Sequence, residues 1–200
     1  MKTISATLPK FSFFEGPITN VCPKVNATIV DVYRGITGDY YKIKTEQLRA
    51  AKNEDQYRKA KKQLDFVTFA GIFRTRDKQN LIKSSEYCCI DFDHINPKYF
   101  FEIRDILKSD PIIETALLFV SPSGTGLKWI VEIDLEKYPD YEINFKGIVA
   151  YLRITYPGHF NCGENIIDTT GKDACRACFL CYDPEAYINP KYLYNESKIF

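Results

Sequence analysis

The chain has 200 residues, 45% hydrophobic and 14% aromatic, which is enough to bury about 70% of the unfolded surface without disulfide or metal support. Its formal net charge of +1 excludes whole-surface attraction to nucleic acid, so any such contact must come from local basic clusters. An odd count of 7 cysteines, no visible signal peptide and no apolar run near the ~20 residues of a membrane span predict a cytoplasmic protein with reduced thiols and no membrane partner.

Residues 1–44 alternate aromatic-rich runs with Pro and Gly and predict short strands and loops, over 11–14 and then 27–36. Thr45 is placed to cap a helix over 46–64, with Leu48, Ala51, Tyr57, Ala60 and Leu64 on one face. Its other face holds Arg49, Lys52, Arg58, Lys59, Lys61 and Lys62 and reads as solvated. The run 66–73 predicts one buried strand, and 76–80 the turn after it. A strand is expected over 86–92, then a helix opened by Asn96-Pro97, where Phe100, Ile103, Ile106 and Leu107 repeat at helical spacing. Strands over 112–120 and 127–133 flank the loop SPSGTG. A helix over 138–156 ends at Pro157-Gly158, and strands are expected over 165–168 and 176–182. Mixed strands and helices without a linker or repeat predict a layered α+β domain.

Asp91 and Asp93 stand two apart at the end of an apolar strand, so their side chains share a face. Carboxylates held that close repel, and either one takes a proton or a cation joins them. Hard oxygen ligands on a rigid strand suit Mg²⁺ or Mn²⁺. By repulsion alone, neutralising either residue is expected not to lower metal-free stability. The plain alternative is a pair that caps a turn, with His94 as a neighbour. Asp168 ends the run NIID and would complete a three-carboxylate cluster if 165–168 lies beside Asp91.

The loop SPSGTGLK offers hydroxyls from Ser121, Ser123 and Thr125, while Gly124 and Gly126 permit close backbone approach. It is too short for a Walker A loop and precedes a strand. By itself it reads as a polar hairpin turn, yet Lys128 within an apolar strand needs a partner.

In order, CIDFDH, SPSGTGLK and NIID resemble the catalytic signature of the archaeo-eukaryotic primase superfamily, the primase–polymerases. AKKQLDFVTFAGIF, YCCIDFDHI, SPSGTGLKWIV and IIDTTGKDACRACFLCYDPEAYINP look more closely like the VirE amino-terminal-like domain found ahead of helicase domains in mobile elements. The resemblance spans nearly all of residues 10–192. It implies one α+β domain over 1–200, with an RRM-like core sheet over 66–192 and residues 1–65 packed against it. It implies that Asp91, Asp93 and Asp168 are catalytic ligands of two Mg²⁺ or Mn²⁺ ions. Ser121, Ser123, Gly124, Gly126, Lys128 and Arg176 would bind the nucleotide. Partners would be nucleoside triphosphates, a single-stranded DNA or RNA template and a helicase domain. The superfamily commonly has His where Lys128 stands; lysine binds phosphate as a point charge but cannot act as a neutral imidazole.

A silent nucleic-acid-binding adaptor is the rival reading, favoured by that departure. A glycosyltransferase, which also uses Asp-x-Asp, is opposed by the loop and by Asp168. His159, Cys162, Cys175 and Cys178 have zinc-knuckle spacing, but Asp168 and Arg176 fall inside it, so structural zinc is not expected. Trp129 reads as core and not as a base-stacking platform.

Overall fold

A computed structural model describes residues 8–160 and 165–194. Strand β1 (Lys10–Phe14) pairs antiparallel with β2 (Val25–Thr28). Thr28 then caps helix α1 (Ile29–Thr37): its hydroxyl accepts from the Asp31 amide, and the Asp31 carboxylate accepts from the Thr28 amide. The run 27–36 is therefore mostly helix, against its β-branched composition. The reciprocal cap satisfies two free amides, and Ile29, Val30, Val32 and Ile36 are buried by the turn of the helix.

The single helix expected over 46–64 is two. Helix α2 (Lys42–Arg49) stops at Ala50, and Asn53 caps α3 (Glu54–Lys61) by accepting from the Gln56 amide. Asparagine competes for backbone amides inside a helix and prefers its end. Thr45 caps nothing; it is buried within α2, and its hydroxyl accepts from the Tyr182 amide at 2.8 Å. Helix α3 buries none of its residues.

The run 66–73 also divides. Strand β3 (Phe66–Thr68) joins β1, whereas β4 (Gly71–Phe73) pairs with β5 (Leu81–Ser84). The bend between them is held where the Ser85 amide donates to the Ala70 carbonyl at 3.0 Å. Strand β5 is largely exposed and has no alternating pattern to betray it.

The second half holds β6 (Tyr87–Phe92), α4 (Phe100–Ser109) behind its Asn96-Pro97 entry, β7 (Thr115–Val120), β8 (Leu127–Glu132) and α5 (Tyr141–Thr155). Short elements follow: α6 (Pro157–Phe160), β9 (Cys178–Phe179), β10 (Tyr187–Ile188) and α7 (Pro190–Tyr194). One sheet has the order β2-β1-β3-β9 and the core sheet β10-β7-β8-β6. Of the strand expected over 176–182 only β9 forms, because the Arg176 amide is turned to the Asp173 carbonyl at 2.9 Å.

Residues 165–168 make one bridge, Ile167 to Phe92, instead of a strand. Even so, Asp93 donates to the Ile166 carbonyl at 2.8 Å, and Asp168 donates to the Asp91 carbonyl at 2.9 Å. The segment therefore lies along the free edge of β6. The fold is α+β, and its second half follows the split βαβ order, with β8 between β6 and β7.

Alternation gives the core sheet two faces. Cys88, Ile90, Phe92, Leu127, Trp129 and Val131 pack with α4 and α5 in one apolar cluster. Trp129 is fully buried there, as its sequence context predicts, and its indole donates to the Thr115 hydroxyl at 2.7 Å. Tyr87, Phe119 and Ile130 belong to a second cluster with Phe11, Val67 and α1.

Candidate metal centre

Asp91 and Asp93 project from β6 on the side of the amino-terminal sheet. Asp91 lines a small cavity with Phe69, Ala70 and Cys178. Lys128 stands directly across the ladder from Asp91. Its amine donates to Asp91 Oδ2, and the two side chains keep only 5% and 18% of their surface. The charge that an apolar strand could not hold alone thus has a carboxylate partner. The other oxygen, Asp91 Oδ1, is buried with no hydrogen-bond partner.

Burial pushes the Asp91 carboxyl above its ordinary range against the pull of Lys128, and the charges of Asp93 and Asp168 push the same way. Burial pulls the Lys128 amine down, but the Asp91 charge and the neighbouring Cys178 and Cys89 outweigh it, so the amine stays protonated.

Asp168 arrives from the β6 edge. Its carboxylate accepts from the Thr170 amide at 2.9 Å, the Thr170 hydroxyl at 2.7 Å and Arg176 at 3.0 Å. Burial pushes this carboxyl up, yet the Thr170 hydrogen bonds and the Arg176 charge outweigh it and hold it below the usual range. One oxygen from each of Asp91, Asp93 and Asp168 lies within 4.8 Å of the others. Three hard oxygens, one of them orphaned, fit a divalent cation such as Mg²⁺ or Mn²⁺. The cavity beside them is about 20 Å³, room for one water-sized occupant, and Lys128 and Arg176 help to line it.

The loop between β7 and β8 closes on itself: the Ser121 amide donates to the Gly126 carbonyl at 2.8 Å, and Gly124 donates to the Ser121 carbonyl at 2.9 Å. Gly124 has φ +80°, where a side chain is strained. A Cβ on Gly126 would lie 2.1 Å from the Phe92 carbonyl, so glycine lets the loop lie against the end of β6 beside Asp93. The hydroxyls of Ser121, Ser123 and Thr125 form a chain with 3.0 Å steps.

Two contributors were not legible. Arg49 donates to the carbonyls of Pro122 at 3.2 Å and Ser121 at 3.3 Å, although its place among six basic helix residues reads as solvated. The Tyr57 hydroxyl meets Ser123 and senses Asp93 and Lys128; burial chiefly raises its pKa. Nothing in their spacing sets them apart.

His94 is exposed at φ 54° and stands outside the carboxylate group. His159 meets Glu102 at 3.1 Å, Cys175 donates to Asp173, and Cys178 is buried beside Cys89. Cys162 lies outside the described residues. Among the described residues, the three aspartates form the group with metal-ligand geometry.

No curated protein and no solved structure matches the chain. The family model described as BT4734-like, N-terminal domain matches residues 59–188. The match takes in β6, the loop, Asp168 and Arg176, and leaves Arg49 and Tyr57 before its start. With well over half of its length matched, the chain belongs to the BT4734-like N-terminal domain family.

Proposed function

We propose that this domain is a metal-dependent nucleotidyltransferase of the primase–polymerase type, acting in replication of a mobile element on a single-stranded template. The observation that carries this reading is Asp91 Oδ1, an orphaned buried oxygen inside a three-carboxylate group. A buried anion oxygen without a partner costs free energy that a bound cation offsets. The likeness of CIDFDH, SPSGTGLK and NIID to the primase–polymerases supports the same reading.

In this scheme Asp91, Asp93 and Asp168 hold Mg²⁺ or Mn²⁺. When bound, the metal polarises the attacking 3′-hydroxyl and the α-phosphate and stabilises departing pyrophosphate. Lys128 orients Asp91 from beneath. Ser123 and the glycine-flanked backbone around Gly124 and Gly126 receive the triphosphate, with Ser121 setting the loop's closure. Arg176, half-exposed on Asp168, offers positive charge toward nucleotide or template. An adjoining groove of about 640 Å³ shares Ala70, Tyr141 and Ala174 with the small cavity, and that volume suits a nucleoside.

The test is incorporation of labelled nucleotide on a primed single strand with Mn²⁺. The wild-type domain is expected to extend the primer, and Asp93→Asn to abolish extension. Wild-type protein that incorporates nothing with Mg²⁺ or Mn²⁺ on any template overturns the enzyme reading. One observation favours the adaptor instead: Lys128 occupies an oxygen of a catalytic carboxylate. Single-strand binding without incorporation would decide for it.

A further inference from the structure

We propose that, before nucleotide binds, the centre takes one divalent cation per chain, with the Lys128 ammonium standing as a fixed second positive charge. This rests on the metal-centre reading above and departs from the two-ion site that the resemblance implies.

Three observations carry it. First, two ions about 3.5–4 Å apart need carboxylates that can serve both. Asp91 cannot, because Oδ2 accepts from Lys128 and only Oδ1 is left without a partner. Second, the cavity between Asp91 and Asp168 is about 20 Å³, which admits one water-sized species. Third, the fixed charges nearly balance. Three carboxylates face the ammonium of Lys128 and the guanidinium of Arg176, leaving one negative charge in excess. One divalent ion reverses that excess. A second would leave three positive charges crowded in a centre with little water to screen them. A further ion can enter only with the charge of a triphosphate.

The experiment counts bound Mn²⁺ in nucleotide-free protein, by the electron-paramagnetic signal of free Mn²⁺ and by calorimetry. Wild-type protein is expected to bind one ion. Lys128→Met keeps the aliphatic stem and removes the charge, and it should either bind a second ion or bind the first at least tenfold more tightly. Two ions in the wild type overturn the proposal and leave the metal centre standing. An unchanged count and affinity in a folded Lys128→Met variant also overturn it. If that variant does not melt cooperatively, the wild-type count decides alone. No bound Mn²⁺ in the wild type overturns the metal centre itself, and the proposal with it.

Discussion

The core sheet turns two unlike faces to the rest of the protein. Toward α4 and α5, Ile90, Phe92, Leu127 and Trp129 are apolar and fully buried. Toward the amino-terminal sheet, the same strands carry Asp91, Asp93 and Lys128. One alternation builds both faces, so backbone geometry does not separate them. What separates them is the cover. One face meets an apolar stripe from two helices, the other a cleft edged by the bend at Phe69 and Ala70 and by Cys178. A well-packed first face lets the second retain a buried ion pair and an orphaned oxygen, features that lower stability unless something binds.

The largest effects should come from the apolar face. Trp129→Ala empties a fully buried site and removes the donor to Thr115, and is expected to cost about 3–5 kcal/mol in urea unfolding. Folded variant should still bind Mn²⁺ at the wild-type affinity. A matching loss of Mn²⁺ affinity would show that the faces are not independent.

Next comes the buried pair. The spacing of Asp91 and Asp93 predicts that neutralising either relieves repulsion. For Asp91 the pairing with Lys128 reverses that sign, since Asp91→Asn leaves a buried ammonium without its counter-charge. Melts in EDTA are expected to show a loss of about 3 kcal/mol, the low end for a broken buried pair because the Asn oxygen still accepts. Asp93→Asn should stay within about 0.5 kcal/mol of wild type. Equal stability of the two variants would remove the pair from the account.

Arg49→Ala removes two hydrogen bonds to the loop and should cost about 1–2 kcal/mol. Hydrogen exchange at Gly124 and Thr125 should quicken while exchange in β8 does not. Unchanged exchange would mean that the loop closes without help from α2.

The smallest effect contrasts the buried pair with an exposed one. A hydrogen bond from Lys191 holds the Glu114 carboxyl below its ordinary range, against slight burial. A depressed folded pKa stabilises above the unfolded carboxylate value and stops doing so as pH falls through the folded one. Glu114→Gln should therefore cost a few tenths of a kcal/mol at pH 7 and nothing at pH 2. Urea midpoints at both pH values check this, and a loss that persists in acid would point to packing instead of charge.

Much of the site was written locally. Alternation placed β6 and β8, Asn96-Pro97 opened the next helical segment, and the two-residue spacing put Asp91 and Asp93 on one face. Gly124 and Gly126 marked a loop of close backbone approach. The misread elements had local signals that competed. Thr28 and Asp31 formed a capping box within a β-branched run, and Asn53 cut a helical pattern that otherwise continued.

What only the tertiary structure decided is who meets whom. Asp168 reaches Asp91 through one bridge at a strand edge, Lys128 finds Asp91 across 37 positions, and Arg49 reaches the loop across 72 and 73. Steric preferences and side-chain periodicity act over a few residues, so the sequence by itself determines which face a residue occupies. Contacts between distant segments depend on which faces are buried against each other, and that is chosen by the whole core at once.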